Sequence, residues 1–270
     1  MSIIVSVKIN DGIVMAADSA TTFFNENGQA FQSYNHANKI VNLVKRLPIG
    51  VMSCGAGGIG SASIDTLLKD LRVCLRENGS RQVDSGSYTM ASITASVRAF
   101  FDERAEAASF GGFLLLRICG YSSGRPLPEV WNIAFQNGKS HDPECIQGED
   151  AMGPRWNGEE EALDRLILGL PSALGEGFLK EGVLTQEQLQ ISVPKLYQYT
   201  VETLIMHAAP IQDAIDLARF MVETTKGFVR FSVSRRKTVG GAVEVASITK
   251  HEGFKWVQRK HFYSDELNGE

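Results

Sequence analysis

The chain lacks most features that would place it outside a simple globular class. It has only four cysteines in 270 residues, Cys54, Cys74, Cys119 and Cys145, with no C-x-x-C spacing. That argues against a disulfide frame or a zinc site, and the expectation is buried free thiols. No apolar run approaches the ~20 residues needed to span a bilayer. The start, Met1-Ser2-Ile3-Ile4-Val5, has neither a cationic segment nor a small-residue cleavage site, so a cytoplasmic protein with no membrane partner is expected. No Lys/Arg run exceeds Arg235-Arg236-Lys237, and 27 basic against 31 acidic residues give a net charge of −4. Such a balance leaves little electrostatic footprint for nucleic acid. Repeats, low-complexity tracts and interdomain linkers are also missing, which points to a single domain over 1–270. His141-Asp142-Pro143-Glu144-Cys145 contains metal-ligating residue types, but without a recognised ligand spacing in a polar loop; no metal or cofactor is expected.

What is present begins with strands. Ile3 to Ile9 and Ile13 to Ala17 flank Asn10-Asp11-Gly12, a favoured tight-turn sequence, so a β-hairpin opens the chain. Asn25 to Asn38 is polar and reads as a loop or irregular edge. Lys39 to Val44 and Ile49 to Cys54 read as two further strands hinged at Leu47-Pro48. From Ser61 the period becomes helical: Ile64, Leu67, Leu68, Leu71 and Leu75 form one stripe, stopped at Asn78-Gly79. A second helix carries Ile93, Val97, Phe100 and Phe101. Strands are expected at Phe113 to Cys119 and Glu129 to Phe135, and Lys139 to Gly158 reads as a long surface loop. Helices follow over Glu159 to Leu170, Gln186 to Met206 and Ile211 to Thr225, then strands at Ala242 to Ile248 and Phe254 to Arg259. This order, without regular βαβ alternation, predicts an α+β fold with helices packed on antiparallel sheets.

Gly55-Ala56-Gly57-Gly58-Ile59-Gly60 fits G-x-G-x-x-G between a strand and a helix, which admits a nucleotide-binding reading. The full fingerprint also requires a parallel strand after the helix, ending in an acidic residue. Here the helix runs instead into the turn-rich stretch Glu77 to Gly86. A glycine-lined turn also exposes backbone N–H groups that can hold an oxyanion, a role that requires a nucleophile.

Ser2 supplies a candidate. Removal of Met1 is expected before so small a residue, and would give Ser2 a free α-amine able to take its own side-chain proton. The surrounding blocks are Ser2-Ile3-Ile4-Val5, Asp11-Gly12 through Asp18, Asn38-Lys39-Ile40, and Gly50 through Gly55, with Asp18 16 positions after Ser2. Together they resemble the proteasome β-subunit type of N-terminal nucleophile (Ntn) hydrolase. The resemblance implies a four-layer αββα sandwich, Ser2 as nucleophile with its amine as base, Lys39 lowering the nucleophile's pKa, Asp18 orienting Lys39, and the Gly55 N–H facing the oxyanion. It further implies a peptide or amide substrate and a self-assembled homo-oligomer, and leaves room for an unfoldase partner.

The chain also departs from that pattern. The family's G-S-G-type turn has its best counterpart in Ala151-Met152-Gly153-Pro154-Arg155, with Pro154 in place of serine. Its D-x-x-S-G-G segment corresponds to Arg236-Lys237-Thr238-Val239-Gly240-Gly241, where Thr238 or nearby Ser234 is the available hydroxyl. Lys39 lies a few residues late, and the extra length falls at 139–206, as an insertion or extra helices, and at the C-terminus. These departures point toward a divergent bacterial branch such as the ancestral-β-subunit (Anbu) group. They also keep open a catalytically decayed, proteasome-like scaffold as the alternative. His36, just before Lys39, is a candidate for the cleft wall or a solvated loop residue, while Trp131, Trp156 and Trp256 read as core or edge residues.

Overall fold

The computed structural model describes residues 2–24, 30–76, 81–171 and 173–260. Strands β1 (Ile3–Ile9) and β2 (Gly12–Ala17) form the expected hairpin. They are followed by β3 (Thr21–Phe24), β4 (Ala30–Tyr34), β5 (Ile40–Asn42), β6 (Ile49–Gly55), β7 (Gly58–Ile59) and β8 (Ala62–Ser63). Helices α1 (Ile64–Arg76) and α2 (Met90–Ala107) come next, then β9 (Leu114–Gly120), β10 (Glu129–Gln136), β11 (Lys139–Ser140), β12 (Glu144–Gln147) and β13 (Gly153–Gly158). The remainder is α3 (Glu161–Leu163), which continues as a π-helical turn over Asp164–Leu168, α4 (Leu174–Lys180), α5 (Gln186–Thr200), α6 (Ile211–Phe231), β14 (Glu244–Thr249) and β15 (Gly253–Gln258).

The strands make two main antiparallel sheets, ordered β13-β1-β2-β14-β15 and β11-β10-β9-β6-β5, with β12 also paired to β10. Side-chain alternation decides what each face meets. On β1, Ile3, Val5, Val7 and Ile9 join Ala218, Met221 and Val222 of α6 in one cluster. The intervening Ile4 joins Ile13, Met15, Met52, Cys54, Leu115 and Cys119, drawn from both sheets. On the second sheet, Val51, Leu116, Ile118 and Ile133 join the α1 stripe and the α2 residues Ile93, Val97, Phe100 and Phe101. Burial on both faces explains why every residue of β1 and β2 is buried.

Polar groups caught between the sheets are answered individually, as buried charge demands. Arg117 of β9 is 1% exposed and donates to Asn132 Oδ1 (3.1 Å), Ser6 Oγ (3.2 Å), the Arg155 carbonyl (2.9 Å) and Asn157 Oδ1. Lys8 gives its ammonium to the carbonyls of Gly148 and Glu149.

Several expectations need correction. Lys139 to Gly158 is not a surface loop but contains β11, β12 and β13, the last pairing with β1 from Ile3 to Lys8. Its sequence, Gly-Pro-Arg-Trp-Asn-Gly, lacks apolar alternation because β13 is an edge strand, where Pro154 does not interrupt a ladder. Of the two readings of Asn25 to Asn38, loop or irregular edge, residues 30–34 follow the second, pairing with β3 through a register shift. Helical structure begins at Glu161, later than expected, while α5 stops at Thr200 and α6 extends to Phe231. Cys54 and Cys119 are buried free thiols as expected, but Cys145 is exposed and Cys74 only half-buried. The Asn78-Gly79 helix stop lies outside the described residues.

Candidate active site

Ser2 immediately precedes β1 and is 5% exposed. Its carbonyl accepts the Glu159 N–H at 2.8 Å. The preceding Gly158 has φ +114°, and a Cβ there would overlap the Ser2 carbonyl, so glycine alone fits this approach. Arg235 fastens the turn through Glu159 at 3.1 Å and Glu161 at 3.2 Å.

Asp18 follows β2, fully buried, and its two oxygens receive four donors. Oδ1 accepts the Ile3 N–H at 3.1 Å and the Lys39 ammonium at 2.5 Å. Oδ2 accepts the N–H groups of Ala20 at 3.1 Å and Gly240 at 3.0 Å. The carboxylate thereby ties the start of β1, the end of β2, the strand entry at Lys39 and the segment before β14 to one point. Charge-assisted bonds of this kind are about twice as strong as neutral ones. Lys39 is 6% exposed, and burial is the main influence pulling its pKa down, with Asp18 acting in opposition.

Gly55 ends β6 with φ +104°, where a Cβ would lie 2.5 Å from the Phe113 carbonyl oxygen. Ser2, Lys39 and Gly55 line one cavity of about 920 Å³, with Asp18 behind Lys39. The β3–β4 hairpin contributes Phe23 and Tyr34, whose rings meet edge-on at 5.9 Å, and exposed His36 also lines the wall. Burial pushes the Cys54 thiol up to about 11, against nearby Arg117 and Lys39, so this wall residue stays a neutral thiol near neutral pH.

The glycine cluster does not have the geometry of a dinucleotide fingerprint. Gly58 to Ser63 forms the small β7–β8 hairpin, and β6 is flanked on both sides by antiparallel strands. The segment Ala151–Arg155 is not beside Ser2 either: Pro154 opposes Val7, whereas Gly158 opposes Ile3. The turn that meets Ser2 is Asn157-Gly158-Glu159, and its glycine at a strand end is the signal that could have marked it. Segment 236–241 does reach the site, through the Gly240 backbone. Thr238 Oγ1 turns to the Arg236 carbonyl at 3.4 Å, and Ser234 Oγ lies 3.3 Å from Ser232 Oγ. At the former metal candidate, Arg98 holds Asp142 at 2.6 Å, and no cluster of metal-ligating side chains occurs among the described residues.

Two antiparallel sheets with helices packed against each resemble the proteasome β-subunit-like fold that the first 60 residues suggest. Solved structures make the likeness more specific. The Anbu (Gly-1) mutant from Hyphomicrobium sp. strain MC1 is 13% identical with a TM-score of 0.56, over 98% of this chain and 88% of that one. The structure described as the helical assembly of the Anbu complex from Pseudomonas aeruginosa is 14% identical with a TM-score of 0.51, over 97% and 88%. At these identities the likeness is one of fold. No family model and no curated protein matches the sequence. No helix among the described residues is long and apolar enough to cross a membrane.

Proposed function

We propose that this chain is an N-terminal-serine amidohydrolase, a proteasome-like peptidase that forms an acyl-enzyme on Ser2 once Met1 is removed. The observation that carries the reading is the buried Lys39–Asp18 pair at 2.5 Å, whose lysine lines the cavity that Ser2 and Gly55 also line. In this mechanism Ser2 Oγ attacks the amide carbonyl carbon and its proton passes to the α-amine. The Lys39 ammonium favours the developing alkoxide, and the Gly55 N–H donates to the tetrahedral oxyanion. Collapse breaks the C–N bond as the α-ammonium returns its proton to the leaving amine. A water activated by the same amine then hydrolyses the ester.

The three buried clusters support a four-layer αββα order. A cytoplasmic homo-oligomer is part of the proposal, and the described assembly of the Pseudomonas aeruginosa protein supports its oligomeric part. Exposed Phe23 and Tyr34 offer apolar surface to a peptide entering the cavity.

Intact mass before and after treatment with a β-lactone tests the mechanism. Loss of one methionine followed by a single adduct on Ser2, absent from Ser2→Ala, is the expected result. A second reading, the decayed scaffold, is favoured by Thr238 facing Arg236 instead of supporting Ser2. It predicts no adduct even on protein whose Met1 has been removed.

A further inference from the structure

Behind the Asp18–Lys39 pair lies a second buried pair that the mechanism above does not use. Lys260, just past β15, has a side chain 7% exposed and places its ammonium 3.4 Å from Oε2 of Glu244, 1% exposed, at the start of β14. The same ammonium donates to Ser19 Oγ at 2.7 Å and to the Ala37 carbonyl at 2.6 Å. Ser19 directly follows Asp18, and Ala37 lies two residues before Lys39. Ser19 in turn donates through Oγ to the Ala242 carbonyl at 2.6 Å, and its carbonyl accepts the Ala37 N–H at 2.9 Å.

We propose that Lys260, with Glu244, is a positioning residue of the catalytic site, holding the chain on both sides of the Asp18–Lys39 pair and setting its field. The inference rests on the N-terminal-serine reading. Its geometric part is the bridge from Ser19 to Ala37, which fixes the two segments that present Asp18 and Lys39. Its electrostatic part is the arrangement Asp18, Lys39, Glu244 and Lys260, two charges of each sign, with Arg259 and the Cys54 thiol facing the same groups. Burial is the main influence lowering Lys260 and raising Glu244, and their mutual attraction opposes both shifts. Removing Lys260 alone takes a positive charge from beside the pair, and while Glu244 stays ionised this strengthens proton binding at Lys39 and the Ser2 amine.

The test is the rate of β-lactone acylation at Ser2, followed by intact mass between about pH 6 and 9, in wild type, Lys260→Met, Lys260→Arg and Glu244→Gln/Lys260→Met. Lys260→Met is expected to react about tenfold more slowly, with the acid limb of its pH profile about one unit higher. Lys260→Arg recovers most of the rate. In the double variant the acid limb returns to the wild-type position, while the rate stays low because the bridge is still missing. A folded Lys260→Met protein with wild-type rate and profile overturns the inference and leaves the Ser2 reading intact. A slower rate with an unshifted limb marks a purely structural role and overturns it too. Should Lys260→Met not fold, Glu244→Gln decides: the unpaired Lys260 ammonium is expected to move the acid limb about one unit lower, and an unshifted limb overturns the inference. If wild-type protein with a free Ser2 is never acylated, the N-terminal-serine reading fails and the inference falls with it.

Discussion

Helices α1 and α5 have similar lengths, 13 and 15 residues, and each is capped, yet they meet opposite fates. In α1, Ser63 Oγ accepts the Thr66 N–H, and Ile64, Leu67, Leu68, Leu71 and Leu75 are all buried against the second sheet. In α5, Thr185 and Gln188 form a reciprocal capping box, but no residue is buried. Ile191, Leu196 and Tyr199 remain 53%, 41% and 87% exposed, and Pro194 removes a backbone donor from the helix. Local signals suffice to form and delimit a helix in both places. Only contact with a sheet turns an apolar stripe into core, and the sheets lie where the candidate site is built.

The largest expected effect that sharpens this contrast comes from Leu71→Ala. Leu71 is fully buried between α1 and the second sheet. Its truncation removes transfer free energy and leaves a cavity, for a loss of about 3 kcal/mol in urea unfolding. A loss below about 1 kcal/mol would show that α1 can collapse onto the gap, and the difference between the two helices would be one of degree.

Burial in the inner region also acts on titratable groups, which gives a second test. Cys54 is raised from 9.0 to about 11 in the folded protein, mainly by burial. A group raised in this way contributes stability that is fully present below its unfolded value, and loses it as pH climbs through the folded one. Wild-type stability should therefore fall between about pH 9 and 11 by on the order of 2 kcal/mol more than that of Cys54→Ala. Parallel urea midpoints for the two proteins across that window check the sign. Equal slopes would mean that the Cys54 thiol ionises as freely folded as unfolded, against its burial between the sheets.

How much of this was legible in the sequence follows the same physical division. The β1–β2 hairpin, the α1 stripe and the inner strands were readable because alternation or helical period forced their side chains into a core. The β3–β4 and β7–β8 hairpins and β13 were not, since such short or edge strands carry no apolar pattern, and β13 owes its pairing to β1, distant in the chain. The site divides likewise. Ser2, Asp18, Lys39 and Gly55 form a spaced set near the start of the chain, and the structure places three of them on one cavity with Asp18 behind. Gly158 and Lys260 act on Ser2 and Ser19 from 156 and 241 residues away in the chain; a strand-end glycine is a weak mark of such an approach, and a lone lysine carries none.

The smallest expected effect asks whether α5 is covered by anything in solution. Leu196 is 41% exposed and packs into no core cluster among the described residues. Leu196→Ala should therefore change the stability of an isolated chain by about 0.5 kcal/mol or less. The measurement is urea unfolding of wild type and variant across a series of protein concentrations. A loss of about 2 kcal/mol that grows with concentration would place Leu196 in an interface between copies, because burial against a partner stabilises by mass action. The contrast with α1 would then lie in which chain supplies the covering surface, with the apolar stripe of α5 completed by assembly rather than by folding.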